Sequence, residues 1–135
     1  MAVEEKDLVD WTAFARARAE LGAGFVRILG YFREDGVKSV AAIEAAMRAG
    51  SAAGMVIPAH TLKGEALQFG AGPLGAVAER IETIARDCVE SRDTPEEALS
   101  DIVALRPLFD ATLAMLERES NPLVARRPAF GRRAV

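Results

Sequence analysis

Apolar residues recur three and four positions apart along most of this 135-residue chain, and this spacing constrains the fold more than any other feature. An α-helix turns once every ~3.6 residues, so the spacing places apolar side chains along one face of a helix. No stretch alternates apolar and polar residues long enough to predict a strand. Half of the residues are hydrophobic, which is enough for a buried core. The chain is therefore predicted to be all-α, with one domain.

Four amphipathic helices with short links bury their apolar faces best as an antiparallel, up-and-down four-helix bundle. A short N-terminal helix, with Asp10 as its predicted N-cap, would cap one end of this bundle. Pro73 fits the first turn of the fourth helical segment, where its missing N–H has no partner in any case. We assign residues 1–120 to the bundle. Residues 121–135 contain two prolines and four arginines with little periodicity, and they are predicted to be a basic, flexible tail.

The ends and interruptions of the helices are less sharply marked. Thr94, Pro95 and Glu97 have the spacing of a capping box, which predicts the start of the last helix. Gly36 interrupts the second apolar stripe, so this stripe is either one long helix or two pieces. Pro107 lies inside the last stripe and is expected to kink or split that helix.

Charge and composition exclude several classes of function. Four of the 17 basic residues lie in the tail and all 20 acidic residues precede it, so the body has a net charge of −7. An acidic body argues against nucleic-acid binding, which needs basic surface. No apolar run is long enough to span a membrane. The single cysteine, Cys88, continues an apolar stripe and is predicted to be a core residue in a reducing, cytoplasmic setting. The arginines of the tail are either a solvated end or a means of steering an acidic partner.

The stretch PAHTLKGEALQFGA, residues 58–71, contains the only histidine, His60. Neutral imidazole is a good nucleophile near pH 7. Gly64, one helical turn later, leaves space beside the ring, at a cost in a helix of about 1 kcal/mol relative to alanine. Lys63 adds a positive charge that can offset an incoming phosphoryl group. With one histidine and one cysteine, neither a metal site nor a hydrolase triad is predicted.

This stretch resembles the phosphorylation motif of the histidine-containing phosphotransfer (HPt) domain family. The matching residues are His60, Leu62, Lys63, Gly64, Ala66 and Gly70. The resemblance implies a four-helix bundle whose exposed histidine carries phosphate on Nε2 and exchanges it with an aspartate of a response-regulator receiver domain. The receiver would supply Mg²⁺ and most catalytic groups. The chain would then be a phosphocarrier rather than an enzyme, with no cofactor of its own.

By position in the motif, His60 is the expected phospho-acceptor, Lys63 the phosphate neighbour and Gly64 the access residue. Leu67 and Gln68 are candidates for docking a partner; core packing for Leu67 and simple exposure for Gln68 are the alternatives. The expected partners are a hybrid histidine kinase and a receiver domain, between which the chain carries phosphate in a multistep phosphorelay. The chain is expected to be a monomer that binds neither nucleic acid nor a membrane. The alternative function is a helical module that sequesters a receiver or kinase without carrying phosphate. A substrate domain cut from a longer kinase is a third possibility, although the chain has no ATP-binding motif.

Two residues depart from the family pattern. Glu65 stands where a small residue is common, and its position on the helix points it away from His60. Pro58 precedes His60 by two residues and removes a helix hydrogen bond. Either the helix kinks at Pro58, or its regular part begins there. The second case would place His60 near a helix N-terminus, which favours an incoming anion.

Overall fold

The computed structural model describes residues 7–120, and within this range every regular element is helical. The predicted all-α class is confirmed. The main helices are α1 (Trp11–Leu21), α2 (Phe25–Arg48), α3 (Ala52–Gln68), α4 (Gly72–Ser91) and α5 (Leu99–Ser120), with 3₁₀ turns at Gly22–Gly24 and Glu96–Ala98. Helices α2 and α4 each pack against both α3 and α5, so the four long helices form a closed bundle.

The core is built from the apolar stripes that the spacing predicts. Its largest fully buried side chains include Phe32, Ile43, Met55, Leu62, Phe69, Leu74, Ile81, Leu105, Phe109 and Leu116. Neighbouring aromatic rings connect α1 to this core in the order Trp11, Phe14, Phe25, Phe69, Phe32 and Phe109, with centroids 5.1 to 5.7 Å apart. Each such pair contributes about 0.5–1.5 kcal/mol beyond its buried area. The aromatic contacts therefore attach α1 to the bundle.

Several predicted helix boundaries are confirmed. The carboxylate of Asp10 accepts hydrogen bonds from the N–H groups of Thr12 (3.0 Å) and Ala13 (3.2 Å), as an N-cap does. Pro73 lies in the first turn of α4. Gly36 does not divide α2, which is a single helix. A Cβ at Gly36 would overlap the ring of Phe109, so this glycine allows α2 and α5 to approach closely.

Two expectations about helix ends are wrong, namely the capping box at Thr94 and a split of the last helix at Pro107. Glu96–Ala98 forms a 3₁₀ turn, and Thr94 contacts the Glu96 carboxylate instead of making a capping box with Glu97. Helix α5 continues through Pro107 and is not split. Pro107 is exposed, so the carbonyl group that loses its partner one turn earlier faces water while the buried side of the helix stays packed.

Helix α3 likewise continues through its interior proline, Pro58. Helix α3 begins at Ala52, where the Ser51 hydroxyl accepts a hydrogen bond from the Gly54 N–H at 3.0 Å. The regular helix therefore does not start at Pro58, and His60 is more than two turns from the N-terminus. An anion at His60 gains little from the helix dipole, which acts mainly within the first turn.

Two further sequence expectations concern Cys88 and the chain ends. Cys88 is buried as predicted, and its Sγ lies 3.6 Å from the carbonyl oxygen of Thr94. Burial raises the pKa of this thiol, and four neighbouring carboxylates raise it further. None of the helices in residues 7–120 combines the length and apolar character needed to cross a membrane. The predicted basic tail, residues 121–135, lies outside the described residues.

Candidate functional site

His60 lies on the exposed face of α3, at the middle residue of the helix. The buried residues of this helix lie three and four positions apart, as in an apolar stripe: Ala52, Met55, Ala59, Leu62 and Ala66. Each residue of a helix is rotated by about 100° from the one before it. His60 follows the fully buried Ala59 and is therefore turned to the edge of the core, where its side chain is 61% exposed.

A buried carboxylate on α4 contacts His60. The side chain of Glu82 is only 7% exposed, and its Oε2 lies 2.9 Å from Nδ1 of His60. Arg86, one turn further along α4, donates to the same oxygen from Nε at 2.9 Å, and its Nη2 lies 2.8 Å from that oxygen. Nζ of Lys63 lies 3.0 Å from the other oxygen, Oε1. These four residues are called the Glu82 cluster below.

The charge on Glu82 determines which nitrogen of His60 carries the proton. Burial raises the pKa of Glu82, but hydrogen bonds from Lys63, Arg86 and His60 outweigh burial and lower that pKa to about 2. Glu82 is therefore ionised near neutral pH, and an ionised carboxylate can only accept hydrogen bonds. Nδ1 of His60 must then be the donor, which leaves the lone pair of a neutral ring on Nε2. The cluster thus presents Nε2 as the nucleophilic atom.

Gly64 has no internal packing role. A Cβ added to Gly64 would meet no atom of the described chain within 4 Å. A Cβ at Gly75 of α4, by contrast, would come within 2.7 Å of the Leu67 side chain. Gly75 therefore allows close packing of α3 and α4, while Gly64 leaves open surface one turn after His60. This openness fits the predicted role of Gly64 as an access residue.

Gly70, the last matching residue of the motif, has a structural role. Its φ is +79°, a left-handed conformation that favours glycine. Its carbonyl oxygen accepts a hydrogen bond from the Asp10 N–H at 2.8 Å. A Cβ at Gly70 would lie 2.7 Å from the Asp10 carbonyl oxygen. Gly70 therefore closes the turn between α3 and α4 and holds the start of α1 against it.

The two candidate docking residues, Leu67 and Gln68, lie two turns beyond His60 and are both exposed. Leu67 is 54% exposed, so it is not a core residue, although its side chain packs beside Gly75. The structure thus places all five predicted site residues on α3. It brings only His60 and Lys63 together, through their shared contact with Glu82.

Glu65 lies on the other side of α3, against α2. Its carboxyl is half-buried, and burial followed by the neighbouring Asp35 raises its pKa to about 7. Its Oε1 is buried and has no hydrogen-bond partner among the described residues. Glu65 contacts Asp35 on α2, whereas His60 contacts Glu82 on α4. This agrees with the prediction that Glu65 points away from His60.

Glu82 and Arg86 were not among the predicted site residues. One signal for them was present: Glu82 directly follows Ile81 in the apolar stripe of α4, and a carboxylate at such a position needs cationic partners. Arg86 stands four residues later, at the spacing of a helical ion pair. Pairing across two helices was the part that the sequence did not show.

The model of the Hpt domain family matches residues 27–119, which is more than half of the chain. The match begins two residues after the start of α2 and ends one residue before the end of α5, so it covers nearly all of the four long helices and all four residues of the Glu82 cluster. Comparisons with curated proteins and with solved structures found no match.

Proposed function

Because the chain belongs to the Hpt domain family, whose members are phosphocarriers in histidine phosphotransfer and phosphorelay signalling, we propose that it carries a phosphoryl group on Nε2 of His60. One observation carries the assignment to this atom. The ionised Glu82 carboxylate lies 2.9 Å from Nδ1, which keeps the proton on Nδ1 and the lone pair on Nε2. His60 is also the only histidine of the chain.

The transfer follows from this arrangement. The Nε2 lone pair attacks the phosphorus of an aspartyl phosphate, the P–O bond to the aspartate breaks, and an Nε2–P bond forms. The ring now holds both the phosphoryl group and the Nδ1 proton, so it carries a positive charge. The Glu82 carboxylate stabilises that charge through the contact to Nδ1, which stays in place throughout. Glu82 is therefore a positioning residue, since it touches the ring but not the phosphorus.

Lys63 and Arg86 balance the negative charge of Glu82. Two cations and one carboxylate give the cluster a net charge of +1 while His60 is neutral, which favours an incoming phosphoryl group. Lys63 Nζ lies on Glu82 instead of extending freely into solvent. We therefore propose that Lys63 acts as the phosphate neighbour in two ways: it adds positive charge to the Glu82 cluster, and it fixes the position of the Glu82 carboxylate.

The partners that suit this carrier are a hybrid histidine kinase and a response-regulator receiver domain in a multistep phosphorelay. The receiver would supply Mg²⁺, and the chain itself needs no cofactor for the step described above. Leu67 and Gln68 remain docking candidates, supported by their exposure on the same face as His60. A monomer in the cytoplasm, with residues 1–120 as the bundle, completes the proposal.

The proposed bundle has an antiparallel, up-and-down topology with α1 capping one end. Pairs of contacts between helices support it, because residue numbers rise along one helix as they fall along its neighbour. Between α2 and α5 these pairs are Arg33 with Glu117 and Glu44 with Arg106. The hydrogen bond from the Asp10 N–H to Gly70 supports the position of α1 at the end formed by the α3–α4 turn.

The proposal is tested by following radiolabelled phosphate from a panel of phosphorylated receiver domains, and from hybrid kinases with ATP and Mg²⁺, onto the purified chain. We expect acid-labile, base-stable label on the wild type and none on His60→Gln. The substitution should leave folding unchanged, because the His60 side chain is exposed; circular dichroism and urea unfolding check this. Label on His60→Gln would overturn the proposal. Binding of a partner without any label would favour the sequestering module.

A further inference from the structure

The exposed face of α3 carries no charged side chain, although the chain as a whole has 37 charged residues among Lys, Arg, Asp and Glu. Helix α3 lies wholly within the described residues, and its two charged residues, Lys63 and Glu65, are turned towards α4 and α2. The exposed residues are Ala53, Gly54, Ile57, His60, Thr61, Gly64, Leu67 and Gln68. Another protein can therefore cover this face without removing a charge from water.

An open groove lies between α3 and α4 on the N-terminal side of His60. Its volume is about 490 Å³, and it is lined by Ala53, Val56, Ile57, Arg86, Val89 and Glu90. Ile57 is 75% exposed, the largest exposed fraction among the large apolar side chains of the described residues. Val89 is 46% exposed across the groove. On the C-terminal side of His60 the corresponding apolar residue, Leu67, packs beside Gly75 instead.

We infer that this groove docks a receiver domain. An apolar helix of the receiver then packs over Ile57 and Val89, and the acidic pocket that bears its phosphoryl group lies over His60. The inference rests on the proposed function and adds a direction to it. A groove between two helices accepts the side chains of a third helix as ridges fit into grooves. The main docking contacts thus lie before His60 in the chain, whereas Leu67 and Gln68 form the edge of the interface.

The charges of the groove match such a partner. An aspartyl phosphate and the carboxylates that bind Mg²⁺ make the partner's pocket acidic. Arg86, whose side chain is more than half exposed, lies next to Glu82 and therefore at the His60 end of the groove. Glu90 is one turn further along α4, about 6 Å further from His60. The positive charge thus faces the acidic pocket and the negative charge lies away from it, which sets the orientation of the partner.

The test compares Ile57→Ala with Val103→Ala. Val103 is a matched control, because it is an exposed aliphatic residue on α5, on the far side of the bundle from α3. Transfer is measured from receiver domains that have been phosphorylated in advance with acetyl phosphate and Mg²⁺. We expect kcat/KM for Ile57→Ala to fall about tenfold or more through a higher KM, the size of effect typical of an interface anchor. Val103→Ala should transfer like the wild type.

A second donor separates docking from chemistry. Phosphoramidate is small and needs no groove: its P–N bond breaks as the Nε2–P bond forms, and ammonia leaves. Ile57→Ala should accept phosphate from it as fast as the wild type. Equal receiver kinetics for Ile57→Ala and Val103→Ala, or slow labelling of Ile57→Ala by phosphoramidate, would overturn the inference.

The outcomes for the wild type also keep the two proposals apart. Labelling by phosphoramidate without transfer from any receiver would overturn the docking inference and leave His60 as the nucleophile. Failure of both donors to label the wild type would instead contradict the proposed function. Transfer from a receiver to the wild type, with the expected loss in Ile57→Ala, would support both.

Discussion

Helix α3 has a glutamate on each flank, and the two behave in opposite ways. Glu82 reaches it from α4, is almost fully buried, and has a pKa lowered to about 2. Glu65 belongs to α3 itself, faces α2, is only half-buried, and has a pKa raised to about 7. The more buried of the two groups is the one that keeps its charge. The neighbouring groups, and not the extent of burial, decide which carboxyl is ionised. Glu82 has three hydrogen-bond donors around it, while Glu65 has the carboxyl of Asp35.

This difference assigns separate tasks to the two flanks. The α4 flank holds a permanent negative charge that is more than balanced by Lys63 and Arg86, so it orients His60 and still attracts a phosphoryl group. On the α2 flank the neighbour of Glu65 is the carboxyl of Asp35, and the raised pKa of Glu65 reduces the negative charge near the site at neutral pH.

Glu82→Gln should break the α4 flank. The neutral amide no longer holds the proton on Nδ1 or stabilises the charged product ring, so we expect phosphoryl transfer to slow by about tenfold or more. Lys63 and Arg86 lose their partner, and the free energy of unfolding should fall by about 1–2 kcal/mol, less than for a fully buried pair because both cations can reach water. Single-turnover transfer and urea unfolding measure the two effects.

A matched control for this change is Glu79→Gln, an exposed carboxylate about one turn earlier on α4. It should alter neither the transfer rate nor the unfolding free energy beyond about 0.5 kcal/mol. If Glu82→Gln and Glu79→Gln behaved alike, the proposed role of the Glu82 cluster would be wrong.

Gly64→Ala examines the exposed surface between the two flanks. A Cβ at Gly64 meets nothing within the described chain, so helix propensity should raise the unfolding free energy by up to about 1 kcal/mol. The added methyl group should still slow transfer from receivers several-fold, because it occupies surface that a partner must approach. Gly36→Ala is the control, and it should destabilise the protein because its Cβ overlaps Phe109. A loss of stability in Gly64→Ala would contradict this interpretation.

Glu65→Gln should remove a pH dependence that belongs to the α2 flank. The pKa of Glu65 is higher in the folded state (about 7) than its ordinary value of 4.5, so the folded protein binds the proton more tightly. The contribution of Glu65 to the free energy of unfolding is therefore fully present below pH 4.5, and it is lost as the pH rises through about 7. We expect a loss of about 1 kcal/mol in the wild type, since solvent screens a half-buried carboxyl.

Urea unfolding at several pH values between about 2 and 8 measures the pH dependence on both sides, and Glu65→Gln should flatten only the neutral side. The other flank gives the opposite sign. Glu82 stabilises the fold above pH 4.5 and this stability is lost as the pH falls towards 2, so only Glu82→Gln should flatten the acid side. If Glu65→Gln flattened the acid side instead, the assignments of the two carboxyls would have to be exchanged.

Asp35→Asn should have the smallest effect. Burial is the largest cause of the raised pKa of Glu65, and Asp35 comes second. The substitution should therefore lower the pKa of Glu65 only part of the way to its ordinary value and change stability by a few tenths of a kcal/mol at neutral pH. A carboxyl NMR titration of Glu65 measures the change. A titration curve identical to that of the wild type would show that Asp35 does not act on Glu65.

Local patterns predicted the parts of this protein that depend on one helix. The apolar face of α3 follows from helical spacing, and the N-cap follows from the residue type of Asp10. The exposed position of His60 was implied by the resemblance of its motif to the family. Features that depend on two helices were not predictable in this way. Gly36 and Pro107 are tolerated because of packing against Phe109 and exposure to solvent.

The site shows the same limit. Lys63 and Gly64 were identified by their short distance in sequence from His60, whereas Glu82 lies 22 residues away on another helix. Its contact with His60 depends on how far α4 is shifted along α3, and helical periodicity alone does not determine that shift. The position of Glu82 within an apolar stripe indicated a need for partners but did not identify them.

The most direct test of the account is the chemistry of the two ring nitrogens of His60. Because the chain has a single histidine, nitrogen NMR of isotope-labelled histidine reports this residue alone. The account predicts a proton on Nδ1 before phosphorylation and phosphorus–nitrogen coupling to Nε2 afterwards. A proton on Nε2 in the unphosphorylated protein, or phosphorus bound to Nδ1 in the product, would contradict it.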